Sequence, residues 1–165
     1  MVIDTLRSSD LFGSLSTSDL EKVAVICRSA NFRQNVVVFK EEDEATEVYV
    51  VLEGEVAREM TVRPVPYRPA MPMTLDVCTK GEILGWSALV EPYTYTLSAR
   101  CLTNCTLLAI KGDMLRRLMD EDVRLGYELL KRLSQLIKGR LAESRLRLTS
   151  GLGLVMLGKE LQASE

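Results

Sequence analysis

The sequence predicts an α+β domain, in which an antiparallel β-sandwich or barrel follows an amphipathic helix and precedes a much longer helix. Two observations predict this order. Short β-rich runs separated by turn residues lie between residues 36 and 110, and apolar residues recur at helical spacing on either side of them. A chain of 165 residues buries roughly 70% of its unfolded surface on folding, so one core needs neither disulfides nor a metal.

The opening helix is predicted over residues 11–28. Ser16 is followed three residues later by Asp19, a pattern that resembles a capping box at the start of a helix. Leu20 and Val23 then recur at helical spacing, as does the pair at residues 26–27. An amphipathic helix is therefore expected before the first strand.

The predicted strands are short and closely spaced. Glu53-Gly54 is expected to join two of them as a tight hairpin, and the acidic run 41–44 is too polar for burial, so it belongs in a surface turn. Four of the five prolines lie between Pro64 and Pro72, which excludes a central strand and predicts an exposed, irregular connection. The predicted strands cover residues 36–39, 48–52, 56–62, 73–77, 93–101 and 105–110.

The helical period returns after the last strand. Asp113 is expected to cap a short helix, and Asp120 or Asp122 a second helix that continues to about Leu148, a length of about 40 Å. The apolar stripe of this second helix exceeds what a small β-domain can cover, so it predicts a partner helix and hence a homodimer. The stripe consists of Leu130, Leu133, Ile137, Leu141 and Leu148.

These elements divide the chain into three parts. Residues 1–120 form the predicted β-domain, residues 121–149 the dimerisation helix, and residues 150–165 a tail. The apolar sequence of the tail is interrupted by glycines, so it fits either a weak strand or a short helix.

Charge and composition argue against catalysis, nucleic acid and a membrane. With 21 Lys+Arg and 23 Asp+Glu, the formal net charge is −2, and residues 124–147 carry seven cations that we interpret as a solvated helix face. The absence of histidine removes the usual general base and the imidazole ligands of zinc and haem, so the prediction contains no catalytic residue, metal or cofactor. No run approaches the roughly 20 apolar residues that span a bilayer. Free thiols without a leader peptide predict the cytoplasm.

Three stretches resemble parts of one known family. They are LFGSLS at residues 11–16, FKEEDEATEVYVVLEGEV at 39–56, and KGEILGWSAL at 80–89 together with CTLLAI at 105–110. In content and order they resemble the cyclic nucleotide-binding domain of the cAMP receptor and fumarate/nitrate-regulator superfamily. The resemblance implies a jelly roll, or double-stranded β-helix, between an N-terminal helix and a long C-terminal helix.

The third stretch resembles the phosphate-binding cassette of that family, in which backbone N–H groups at the start of a short helix hold the cyclic phosphate. Gly85, Ser87 and Ala88 match this turn. The nucleotide-binding members have a Glu directly after the glycine and an Arg about ten residues later. This sequence has Trp86 and Tyr95 at those places. The intervening segment is one residue shorter than in the family, which allows a second alignment. In that alignment Thr96 matches the Ser/Thr that follows the family's Arg.

Without that Arg, about 3–6 kcal/mol of charge-assisted hydrogen bonding is lost, which is roughly 100- to 10,000-fold in affinity. Micromolar binding of cAMP or cGMP is therefore not expected. The family's purine-contacting position on the long helix falls near Arg140. The candidate ligand-binding residues are Gly85, Trp86, Ser87, Ala88, Tyr95, Thr96 and Arg140.

The resemblance thus implies a noncatalytic regulatory or small-molecule-sensing module whose partners are a small effector and a second copy. Two alternatives remain open. In one, the domain is a true cyclic-nucleotide sensor in which Arg58 or Arg68 replaces the missing Arg; in the other, Trp86 and Tyr95 plug the pocket of a protein-interaction scaffold. The family's regulators carry a helix-turn-helix after the long helix, and the 17 residues after residue 148 are too few for it, so no DNA partner is expected.

Overall fold

The computed structural model describes residues 2–63 and 69–162 and contains two four-stranded antiparallel sheets with helices before and after them. A short 3₁₀ turn, Trp86–Leu89, lies between the sixth and seventh strands. The helices are α1 (Val2–Ser8), α2 (Thr17–Ala24), α3 (Gly112–Glu121) and α4 (Val123–Gln162). The strands are β1 (Cys27–Phe32), β2 (Val37–Phe39), β3 (Glu47–Glu53), β4 (Val56–Val62), β5 (Met71–Cys78), β6 (Ile83–Leu84), β7 (Ser98–Cys101) and β8 (Cys105–Lys111).

The core lies between the two sheets. One sheet has the strand order β1-β8-β3-β6 and the other the order β2-β7-β4-β5. Buried side chains of the first sheet, such as Val51 and Leu107, belong to the same cluster as Val56 and Ala99 of the second. The α+β jelly-roll sandwich predicted from the sequence is confirmed.

The N-terminal helix is shorter than predicted. The cap is confirmed, because the Ser16 hydroxyl accepts a hydrogen bond from the Asp19 N–H at 3.2 Å. The helix ends at Ala24, however, and residues 27–32 form β1, which pairs antiparallel with β8. The predicted helix over residues 11–28 is therefore wrong at both ends, since pairing with β8 satisfies the backbone of the second half.

Two strand predictions also need correction. The run 93–101 is a strand only over Ser98–Cys101, because Tyr93 has a φ of 55° that a β-strand cannot contain. The turn Glu53-Gly54 connects β3 to β4, and these strands belong to different sheets, so it does not close a paired hairpin. Its glycine is still required, since a Cβ on Gly54 would lie 2.5 Å from the Asn104 carbonyl oxygen.

The predicted irregular connection ends earlier than expected, because β5 begins at Met71. Pro72 lies in β5, which is an edge strand and tolerates a residue without an N–H. Residues 64–68 of the predicted irregular connection lie outside the described residues.

Both C-terminal helices are present, with two differences. Lys111, not Asp113, is the cap residue of α3, and the Asp113 carboxylate instead accepts from the Met114 N–H within the first turn. Asp122 caps α4 as predicted, accepting from the Leu125 N–H at 3.1 Å. The helix then continues to Gln162 rather than ending near residue 148. No proline interrupts this stretch, and glycines at about 1 kcal/mol each weaken a helix without ending it.

The chain forms two compact units, Met1–Leu129 and Leu130–Glu165. The first contains both sheets, and the second is the remainder of α4. None of the helices in the described part of the chain is long and apolar enough to cross a membrane. Within residues 2–63 and 69–162, no three His, Cys, Asp or Glu side chains are grouped to hold a metal ion.

Candidate functional site

The predicted cassette is a sharp turn that begins at Gly85. This residue has a φ of 72°, and a Cβ there would lie 2.8 Å from the Glu47 carbonyl oxygen, so only glycine fits. The 3₁₀ turn Trp86–Leu89 follows directly. Its Ala88 N–H bonds to the Gly85 carbonyl at 3.1 Å. One of the amide groups that the resemblance offers to a ligand is thus used within the turn.

Tyr95 packs directly on this turn. Its side chain is only 4% exposed, and its Cε1 atom lies 3.0 Å from where a Cβ on Gly85 would be. The ring stacks on Phe39 with 3.9 Å between centroids. The hydroxyl donates to the Glu47 carbonyl at 2.8 Å and accepts from the Glu47 N–H at 3.2 Å. Burial raises the pKa of Tyr95, so this phenol is neutral.

Glu47, which anchors Tyr95 through its backbone, is itself held by its side chain. Arg28 forms an ion pair with the Glu47 carboxylate at 2.7 Å, and the Tyr49 hydroxyl donates to the same carboxylate at 2.7 Å. Phe39 lies between the rings of Tyr49 and Tyr95, 5.9 Å from the first. The sequence did not indicate Glu47 as a site residue, because its only distinguishing feature there is its position at the start of a strand.

Trp86 is half-buried beside a cation. The Arg58 guanidinium carbon lies 5.8 Å from the centroid of the indole ring. The same guanidinium is bound by two side-chain hydrogen bonds to Asp76, its cross-strand neighbour. Of the two proposed replacement cations, Arg58 is therefore next to the cassette and already paired, and Arg68 lies outside the described residues.

The acidic run 41–44 lies alongside Tyr95. The Tyr95 N–H donates to the Asp43 carbonyl at 2.9 Å, and the Glu42 N–H donates to the Tyr95 carbonyl at 2.8 Å. The side chains of Glu42, Asp43 and Glu44 are exposed, as the surface-turn prediction requires. Their negative charge lies near Tyr95.

A side chain of α3 contacts the cassette, and no sequence pattern indicates it. Arg116 donates a hydrogen bond to the Ala88 carbonyl. Its guanidinium carbon also lies 4.1 Å from the ring centroid of Tyr93. Both partners are more than twenty residues away along the chain, so no local pattern reveals this contact.

The structure therefore brings together part of the predicted site. Gly85 and Tyr95 are in contact through the turn, with Trp86, Ser87 and Ala88 following the glycine. Thr96 is exposed beside Tyr95. Arg140 lies in the second compact unit, where it is half-buried.

Comparison with known proteins identifies the fold independently. The family model for the cyclic nucleotide-binding domain matches residues 29–122. A protein from Geobacter metallireducens GS-15 described as cyclic nucleotide-binding shares 28% identity over 86% of this chain and 98% of its own, with a TM-score of 0.71. Comparison with curated proteins gives no match.

Two further solved structures share the fold. The N-terminal domain of a transcriptional regulator from Streptomyces coelicolor A3(2) is 24% identical, with 82% of this chain and 92% of that one covered and a TM-score of 0.68. The catabolite activator protein of Thermus thermophilus is 23% identical, with 85% and 62% covered and a TM-score of 0.69. With more than half of its length matched by the family model, this chain belongs to the cyclic nucleotide-binding domain family.

Proposed function

We propose that this domain is a noncatalytic regulatory module that senses a small molecule other than cAMP or cGMP. The observation that carries the proposal is the state of Tyr95, which is buried, neutral, stacked on Phe39 and hydrogen-bonded to the backbone of Glu47. A phenol engaged in this way has no charge with which to bind a cyclic phosphate.

The surroundings of Tyr95 support the same conclusion. A buried phosphate needs a paired cation, because an uncompensated charge in a protein interior costs several kcal/mol. The backbone of Tyr95 is hydrogen-bonded to the acidic turn. The negative charge of this turn would repel a phosphate. Arg58 beside Trp86 is engaged by Asp76. A nucleotide would have to displace existing contacts before forming its own.

The direct test is calorimetric titration of the whole chain with cAMP and cGMP. We expect no saturable heat of binding up to about 1 mM of either nucleotide. A dissociation constant of about 1 mM corresponds to a binding free energy of about 4 kcal/mol, so any affinity should be weaker than this. A dissociation constant of about 10 μM or tighter for either nucleotide would overturn the proposal.

A second candidate function has one observation in its favour. Arg58 is ordered next to the cassette, where a true cyclic-nucleotide sensor would need a relocated cation. The two functions differ in their response to Asp76→Asn, which releases Arg58 from its ion pair. A relocated site predicts tighter cAMP binding in this variant and none in Arg58→Gln. The favoured proposal predicts that neither variant binds.

The burial of Tyr95 is also compatible with the protein-interaction scaffold, which differs from a sensor in binding no small molecule at all. In either case we propose a cytoplasmic homodimer that pairs through α4 and does not itself recognise DNA. The support for pairing is a stripe of exposed apolar side chains on this helix, at Leu130, Ile137 and Leu141.

A further inference from the structure

A second concave site lies beside the cassette, and its lining includes Glu47, which anchors Tyr95, and Arg116, which contacts Ala88. It is a cavity of about 350 Å³ in the first compact unit. Three stretches of chain meet there: the end of the acidic turn with the start of β3, the loop that carries Tyr93, and the first turns of α3. The side chains that define its chemistry are Glu44, Glu47, Tyr93, Lys111, Asp113 and Arg116.

We propose that this cavity is the effector site of the module and that it takes a small zwitterion of the amino-acid type. This inference rests on the proposed function, because it supplies the small molecule that a sensor requires once Tyr95 fills the cassette. A volume of about 350 Å³ is at the lower end of the range for ligand sites, roughly 300–1,000 Å³, and so suits a compact metabolite.

The charges in the cavity favour a ligand with both signs. Glu47 is neutralised by its ion pair with Arg28. The remaining charged residues of the lining are two acidic ones, Glu44 and Asp113, and two basic ones, Lys111 and Arg116. A ligand with only one sign of charge would be attracted by one pair and repelled by the other. A molecule with an ammonium group and a carboxylate can pair with both.

Residues of the cavity wall also contact the cassette, so a ligand bound in the cavity can affect the cassette turn. Arg116 reaches from the cavity wall to the Ala88 carbonyl, and its guanidinium covers the ring of Tyr93. A carboxylate bound by Arg116 therefore acts on the group that holds the cassette turn to α3. Glu47 forms another part of the wall and carries the hydrogen bonds of Tyr95.

Tyr93 adds evidence that this wall is specialised. Its φ of 55° is a left-handed conformation that aromatic residues rarely adopt. Two backbone hydrogen bonds hold it there, from its N–H to Val90 at 2.9 Å and from the Ala45 N–H to its carbonyl at 2.7 Å. The conformation places the Tyr93 ring against Arg116, at the boundary between the cavity and the cassette.

The experiment uses the full chain and the fluorescence of its one tryptophan, Trp86, which lies in the cassette turn. The probes are the twenty common amino acids, with sodium acetate and methylamine as single-charge analogues. We expect at least one amino acid to bind with a dissociation constant of about 1 mM or tighter and to change the Trp86 emission. Acetate and methylamine should bind at least roughly tenfold more weakly. If calorimetry and fluorescence detect no amino acid at about 10 mM, the inference is wrong.

Variants then locate the site. Lys111→Met and Asp113→Asn change exposed side chains and should each weaken the bound amino acid by about tenfold or more. Lys80→Met is the matched control, since Lys80 is exposed and does not line the cavity. Binding that is unaffected by the first two variants would place the ligand elsewhere and overturn the inference. Micromolar binding of cAMP would instead overturn the proposed function, whatever the amino acids do.

Discussion

Single residues decide the local chemistry of this domain, and the buried Tyr95 is one example. A cationic side chain there would need an anion, whereas Tyr95 satisfies itself with the ring of Phe39 and the backbone of Glu47. The sequence placed the cassette turn at Gly85, and the φ of this residue is 72°. It did not predict the anchor, because Glu47 and Tyr95 are 48 residues apart. Contacts at that separation leave no local pattern.

Removal of the Tyr95 hydroxyl should cost stability without loss of the aromatic stack. In Tyr95→Phe, the N–H and carbonyl of Glu47 each lose a partner in a half-buried position, so we expect a decrease in the free energy of unfolding of about 1–3 kcal/mol. Urea denaturation measures it. Tyr93→Phe is the matched control, because the same atom is removed from a ring that packs on Arg116 through its face. Equal effects of the two variants would show that the Glu47 contacts contribute nothing.

Three thiols should make the protein sensitive to alkali. Burial raises the pKa of Cys27, Cys78 and Cys101 from 9.0 to about 12. An unfolded chain then loses these protons at lower pH than the folded one, so their stabilising effect is complete below pH 9 and declines as the pH rises toward 12. Between pH 9 and 10, the free energy of unfolding should fall by up to about 1 kcal/mol for each thiol, and by less where solvent reaches the sulfur.

Urea titrations at pH 8, 9 and 10 measure this decline, and Cys27→Ala should reduce it by about one third of the thiol contribution. A stability that does not change over this range would mean that the folded thiols ionise as readily as unfolded ones.

At the scale of elements, the sequence predicted strands well where local pattern and pairing agree. The run 56–62 is β4 to the residue, and the cap at Ser16 lies where the sequence places it. The segment before β7 also alternates between apolar and polar residues, yet residues 93–97 are not a strand. Their backbone is paired with the acidic turn instead, for example through the Tyr95 N–H and the Asp43 carbonyl. Only the tertiary structure specifies that choice.

The junction between α2 and α4 depends on one buried carboxylate. Asp19 is fully buried, and Arg124 donates two hydrogen bonds to it at 2.7 and 2.9 Å. These bonds hold the pKa of Asp19 below its ordinary value. The carboxylate therefore stabilises the fold above about pH 4, and this contribution is lost as the pH falls and the group is protonated.

Arg124→Gln should lower the free energy of unfolding at pH 7, because it leaves the buried Asp19 carboxylate with weaker partners. Arg117→Gln, at an exposed position of α3, is the matched control and should have an effect below about 0.5 kcal/mol. In a double-mutant cycle, Arg124→Gln should cost less once Asp19 is replaced by Asn. Additive effects of the two substitutions would contradict a direct interaction.

At the scale of the whole molecule, the fold could be predicted from the sequence more completely than the site. Apolar periodicity, turn residues and the proline-rich connection are local properties, and together they define the sandwich. The site is assembled from distant segments, and its chemistry depends on contacts such as Arg116 with Ala88, which are 28 residues apart. The family's sequence pattern therefore predicts the fold of this chain better than it predicts the ligand.

The long helix leads to the prediction that the protein is a homodimer. Leu130, Ile137 and Leu141 are 49%, 41% and 50% exposed and lie on one stripe of α4, whereas Leu133 of the predicted stripe is buried. The side chain of Leu148 lies outside the described residues. Two copies that pair along this stripe would remove its apolar surface from water. Sedimentation analysis should find a dimer for the wild type and a folded monomer for Ile137→Asp/Leu141→Asp.

The control for that variant is Gln135→Asp/Ala142→Asp, which places two carboxylates on exposed positions of the same helix at least about 100° away from the stripe. It should remain dimeric.

Salt gives an independent criterion, because Lys131, Lys138 and Arg145 recur at seven-residue intervals along one edge of the stripe. Pairing of two such helices brings like charges together, and salt screens their repulsion over a Debye length of about 10 Å at 0.1 M and about 3 Å at 1 M. The wild-type dimer should therefore dissociate more readily at low salt than at high salt. A wild-type monomer at every salt concentration, indistinguishable from the variant, would show that the exposed stripe of α4 is not a homodimer interface.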